Sequence, residues 1–149
     1  MNRIVVDTNI AFSAFLNINS RIGQILLNGT ACFEFFAPNY LIEELIEHKV
    51  KIMSIGKLED RNFVELFGLI LRNIRTLNHS LVPKEYYKNA FNLCKDIDVD
   101  DVPFIAINDY VRGSLWTGDQ KLIKGLSLKG YNNIVTTNDL FHQFIEKNN

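Results

Sequence analysis

Short apolar runs alternate along the chain with longer stretches in which apolar residues recur every three or four positions. Near the start, Ile4, Val5 and Val6 stand together and give way to Asp7. Three β-branched apolar residues without a polar break predict a short strand buried on both faces, as in a parallel sheet. "CFEFFAP", ended by Pro38, reads as a second strand, "IRTLNHSLV" as a short strand and turn, and "SLWT" and "NNIVTT" as two more. Between these runs the period lengthens. Ile22, Ile25 and Leu26 share the face of a helix that Gly29 would stop, and Leu41, Ile42, Leu45 and Ile46 mark another from Asn39 to about His48. Phe63, Leu66, Phe67, Ile70 and Leu71 fall on one face of a helix from about Leu58 to Arg72. "TNIAFSAF", "KEYYKNAFNLCK", "VPFIAINDYVRG", "DQKLIKGLSL" and "NDLFHQFIEK" complete the helical segments. Such alternation is that of β-α-β crossovers and predicts a three-layer α/β/α domain, with one domain expected over residues 1–149.

Composition changes this picture little. The chain is 47% hydrophobic and 22% charged, ordinary for a globular domain, and 149 residues suffice for a proper core without staples. Cys32 and Cys94 stand far apart with no metal-binding spacing, so two reduced, buried thiols are expected. No apolar run approaches membrane-spanning length and "MNRIVVD" meets an acid too early for a signal peptide, so a cytoplasmic protein with no membrane partner is expected. A net charge of −1 argues against coating nucleic acid by bulk charge. It leaves room for a local basic rim among Lys49, Lys51, Lys57, Arg61, Arg72 and Arg75, or late in the chain at Lys121, Lys124 and Lys129.

The chemistry lies in the acids. Asp7 ends the first strand, Glu43 or Glu44 lies in the helix after the second, Asp100 and Asp101 precede "VPFIAI", and Asp119 follows "LWTG". In a parallel sheet these positions share one edge. Each acid singly is explained as a helix N-cap, worth about 1 kcal/mol. Four converging on one edge would repel one another unless a divalent cation sat between them, and hard oxygen ligands suit magnesium or manganese.

In order and separation, "VVDTNI", the Glu-Leu pair in "NYLIEELIEH", "DVDDVPFIAI" and "WTGDQKLI" resemble the four acidic motifs of PIN-domain ribonucleases, in particular bacterial PIN proteins classed as toxins of toxin-antitoxin pairs. The resemblance spans Arg3 to about Ile145 and implies a Rossmann-like PIN domain with a mostly parallel sheet. It implies catalytic, metal-ligating roles for Asp7, Glu44, Asp101 and Asp119, Glu44 being preferred to Glu43 because the family acid directly precedes a leucine. Asp98 and Asp100 are neighbours able to join or substitute for Asp101. Asn9 and Thr117 match polar positions that orient the acids and water. The implied activity is Mg2+- or Mn2+-dependent hydrolysis of single-stranded RNA, leaving a 5′-phosphate and a 3′-hydroxyl, with a small antitoxin protein and a second copy of the chain as expected partners. Tyr86, Tyr87, Tyr110 and Phe144 fit a dimer interface no better than a core. The alternative is a catalytically silent PIN fold that binds RNA or protein, against which stands the presence of all four acids.

Two other readings fail on the residues. Asp96, Asp98 and Asp100 occupy positions 1, 3 and 5 of an EF-hand loop, but its glycine and final glutamate are replaced by Asp101 and Ile107. An aspartyl-nucleophile phosphatase would need a second acid where "VVDTN" has Asn9. His48, His79 and His142 show no ligand spacing, although His48 lies one turn beyond Glu44 and is placed to meet substrate.

Overall fold

The computed structural model describes residues 2–148. Among these are five strands, β1 (Asn2–Val6), β2 (Phe33–Pro38), β3 (Ile74–Leu77), β4 (Ser114–Trp116) and β5 (Ile134–Val135), all parallel and ordered β3-β2-β1-β4-β5. The helices are α1 (Thr8–Leu16), α2 (Arg21–Asn28), α3 (Tyr40–Glu47), α4 (Lys49–Gly56), α5 (Asp60–Leu71), α6 (Lys84–Cys94), α7 (Val102–Val111), α8 (Gln120–Leu128) and α9 (Thr137–Asn148). The three-layer α/β/α architecture expected from the alternation is therefore present. On one face α1 and α2 pack with α4, α5 and α9; on the other α7 lies across β1, β2 and β4 beside α6. The ends of α6 and α8 are joined by Lys129, whose ammonium meets the Leu93 carbonyl at 2.7 Å.

Burial on both faces explains the unbroken apolar runs. Val5, Val6, Leu115 and Trp116 are fully buried, as are Ile105 and Ile107 of α7, which covers them. Cys32 and Cys94 are free, buried thiols; burial and the nearby Asp101 charge push the Cys94 thiol up to about 12, so it stays neutral. Tyr86 packs edge-on against Tyr110 at 5.6 Å and Phe144 lies 6.2 Å from Phe141. Tyr110 keeps 41% of its surface exposed.

Helix α4 is absent from the pattern reading. Only Ile52 of it is buried, while Val50 and Ile55 are exposed, so no stripe at helical spacing announces it. The next helix starts at Asp60 rather than Leu58, because Glu59 and Asn62 close a reciprocal capping box. No single helix among the described residues is long and apolar enough to cross a membrane; α1 and the following helical segment are long and apolar enough only when taken together, and they are bent by 105°.

The sheet order creates a switch point. From β1 the chain steps outward to β2 and β3, then returns to the other side of β1 for β4, so the connections leave β1 and β4 in opposite directions. Open α/β sheets form ligand crevices at the carboxyl ends of such strands.

Two helical glycines give a test of the packing. A Cβ on Gly23 would stand 2.0 Å from the Ile18 carbonyl oxygen, whereas one on Gly68, at an exposed position of α5, would meet nothing within 4 Å. Gly23→Ala is expected to destabilise by about 1–3 kcal/mol through forced backbone movement. Gly68→Ala is expected to stabilise by up to about 1 kcal/mol through helix propensity. Denaturant midpoints check both signs, and a shift in the same direction for both would contradict this packing.

Candidate active site

Asp7 stands one residue beyond β1, its amide continuing the ladder by donating to the Trp116 carbonyl at 3.1 Å. Its Oδ1 accepts the adjacent Thr8 amide at 2.8 Å and its Oδ2 accepts the Thr117 hydroxyl at 2.7 Å. The same Thr117 oxygen accepts the Asp119 amide at 3.1 Å, so one buried hydroxyl ties the end of β1 to the loop after β4. Asp119 turns Oδ1 to the Leu122 amide at 3.1 Å and caps α8. The capping explanation holds for one oxygen of Asp119. It is weaker for Asp7, whose side chain takes a backbone amide only from the next residue.

Asp101 precedes α7 but makes no side-chain cap. It is 9% exposed and its Oδ2 is buried without a hydrogen-bond partner. Asp98 accepts the Asp100 amide at 2.9 Å and shapes the turn that delivers Asp101 inward; Asp98 and Asp100 themselves are exposed. From α3, Glu44 accepts the Thr8 hydroxyl at 2.5 Å.

These acids meet in one cavity of about 350 Å³, lined by Asp7, Glu44, Asp98, Asp100, Asp101 and Asp119. Asn9 also lines it, exposed at its edge, whereas Thr117 lies beneath Asp7. Glu43 points elsewhere, into a neighbouring cavity. The adjacent glutamates thus serve different cavities. Thr8, Phe12 and Phe104, none singled out in the sequence, line the acidic cavity together with His48 and with Lys51, which the sequence offered only as one of several rim cations. Glu44, His48 and Lys51 follow i, i+4, i+7 spacing across the α3–α4 junction, a polar stripe present in the sequence but hidden by the unrecognised α4. His79 and His142 are exposed and do not line this cavity.

The electrostatics are those of crowded like charges. Burial pushes the Asp101 carboxyl up to about 7, with the Asp7, Asp98, Asp119 and Asp100 charges adding to it. Asp7 is raised by burial and by Asp119 and Asp98, against the lowering effect of the Thr117 and Thr8 hydrogen bonds. Glu44 is raised by burial and by Asp7 and Asp100, while its Thr8 bond and His48 lower it. Among the described residues no three His, Cys, Asp or Glu side chains are already drawn together as a closed ligand set. The donors nevertheless fit a hard divalent ion in kind: all are carboxylates, they converge on one cavity, and the stranded Asp101 oxygen faces no protein donor.

A carboxyl held above its unfolded value is favoured in its protonated form by folding. Without metal, the contribution of Asp101 to stability should therefore be full below about pH 3.9 and fall as pH rises toward its value of about 7. Asp101→Asn carries no such charge. In EDTA the variant should gain on wild type between pH 5 and pH 8 by on the order of 2 kcal/mol, read from urea midpoints. A pH-independent difference between the two proteins would contradict the assignment.

A family model described as PIN domain matches residues 5–139. No curated protein matches the chain. The match runs from β1 into α9 and takes in every acid of the cavity as well as the switch point that gathers them, so the chain belongs to the PIN domain family, whose members are generally nucleases.

Proposed function

We propose that the protein is a divalent-metal-dependent endoribonuclease that hydrolyses single-stranded RNA. One observation carries the reading: acids from separate elements, Asp7 after β1, Glu44 in α3, Asp101 before α7 and Asp119 after β4, line a single cavity at the carboxyl edge of the sheet. Asp7, Asp101 and Asp119 would hold Mg2+ or Mn2+, with Glu44 completing the shell or ordering water. When bound, the ion polarises the phosphodiester, lowers the pKa of a water and stabilises the leaving 3′-oxygen.

The chain's own groups prepare this chemistry. Thr117 fixes the Asp7 carboxylate and the Asp119 backbone through one hydroxyl, and Thr8 restrains Glu44. Lys51 places a cation on the cavity wall, where a strand's phosphates would neutralise it, and His48 adds a ring able to hydrogen-bond beside it. Phe12, half-buried at the cavity wall, offers apolar surface to an unpaired base, which single-strand binders use for stacking. The acidic walls resist a polyanion unless metal is present, so binding and cleavage depend on the same ion.

Purified protein with manganese or magnesium is expected to cut a mixed-sequence RNA oligonucleotide, leaving 5′-phosphates, and to stop in EDTA. Asp119→Asn should lower the rate by at least about a hundredfold, more than the loss of a residue that merely supports a ligand. Cleavage that persists in EDTA or survives the substitution would remove the metal mechanism. The motif resemblance further supports a toxin role with a small antitoxin as partner. Induction in bacteria should then arrest growth with wild type and not with Asp119→Asn, and equal growth would count against that role.

A further inference from the structure

A second cavity, of about 200 Å³, lies beside the acidic one and is lined by Asn39, Tyr40, Glu43, His79, Tyr87 and Pro103. The two share a wall. Helix α3 gives Glu44 to one and Glu43 to the other; α7 gives Phe104 to one and Pro103 to the other; and the Tyr40 ring packs edge-on against Phe104 with centroids 6.3 Å apart. No lysine or arginine lines the second cavity, so it is not built for phosphate. What it offers is three flat rings from Tyr40, His79 and Tyr87, one carboxylate and one amide. The Tyr87 hydroxyl is tethered to the His79 carbonyl at 3.4 Å, and the Asn39 side chain is not spent on capping α3.

Its volume is smaller than the roughly 300–1,000 Å³ of sites for drug-sized ligands, which suits one planar ring system rather than a whole nucleotide. Aromatic rings bind unstacked bases through their faces, and edge groups choose among them. A carboxylate accepts hydrogens only. Guanine presents two adjacent N–H donors, N1–H and the 2-amino group, which one carboxylate takes together. Uracil flanks its single N–H with carbonyls that a carboxylate repels. Adenine and cytosine each set an acceptor nitrogen beside their amino group.

We propose that this cavity is a base subsite that takes a guanine unstacked from the RNA strand beside the cleaved phosphate, with Glu43 reading its Watson–Crick edge. The inference rests on the nuclease reading for the presence of the strand. Base recognition itself is measurable without cleavage.

Equilibrium dialysis in EDTA with guanosine and with uridine tests it. Guanosine should bind at least about tenfold more tightly, and Glu43→Gln should abolish the difference. Glu43 is exposed, so its substitution leaves the fold intact. With manganese, uracil hexamers carrying one guanine at successive positions should be cut about tenfold faster at one position only, and Glu43→Gln should remove that gain without changing the all-uracil rate. Guanosine binding no better than uridine, or a positional preference unmoved by Glu43→Gln, would overturn the subsite. Discrimination that Glu43→Gln abolishes, in a protein that cuts no RNA, would uphold guanine recognition by Glu43 and overturn only the nuclease reading.

Discussion

The structure turns on how a buried carboxylate is held at the end of a buried strand. Asp7 is 6% exposed, continues a strand whose last residues are fully buried, and is met by two hydrogen bonds, from Thr8 and Thr117. Two bonds offset part of the cost of burying a charge. The remainder is aggravated by Asp119 and Asp98, which raise its pKa further. Thr117 is the hinge of the arrangement, because the hydroxyl that satisfies Asp7 also fixes the Asp119 amide. Loss of that one oxygen would leave Asp7 Oδ2 without its hydroxyl donor and the Asp119 amide without its acceptor.

A fold that carries such strain at one edge compensates elsewhere. The apolar side chains of β1, β4 and α7 form a continuous core directly beneath the acids, with Trp116, Ile105 and Ile107 fully buried. Rigid support from below keeps like charges in place that would otherwise move apart. Asp101 shows the balance most plainly: the turn stabilised by Asp98 drives it inward, and no protein donor receives its Oδ2.

Much of this was legible in the sequence, for identifiable reasons. The parallel strands announced themselves because burial on both faces demands unbroken apolar runs, and strand ends locate acids without further information. Helix α4 was not legible, since it buries little more than Ile52 and leaves no stripe. With it went Lys51, whose place on the cavity wall depends on that helix. Glu43 and Glu44 flank the apolar face equally in projection; the leucine after Glu44 favours it by motif resemblance, and the seating of α3 against Thr8 separates the two in space. The structure therefore resolves where each glutamate points. Thr8 had no signal at all, its importance arising from a contact made across thirty-six positions of chain.

If these acids are arranged for a divalent ion, the metal-free protein is the strained state and the ion relieves it. Thermal melting of wild type and Asp7→Asn, each with EDTA and with millimolar manganese, measures this directly. Without metal the variant, which loses one charge at nearly constant shape, should melt at the wild-type temperature or above. Manganese should raise the wild-type melting temperature, in line with roughly 2.7 kcal/mol at a hundred times the dissociation constant, and move the variant far less. A variant less stable than wild type by about 1 kcal/mol in EDTA, with the same manganese response in both proteins, would show that Asp7 is a helix cap and not a ligand.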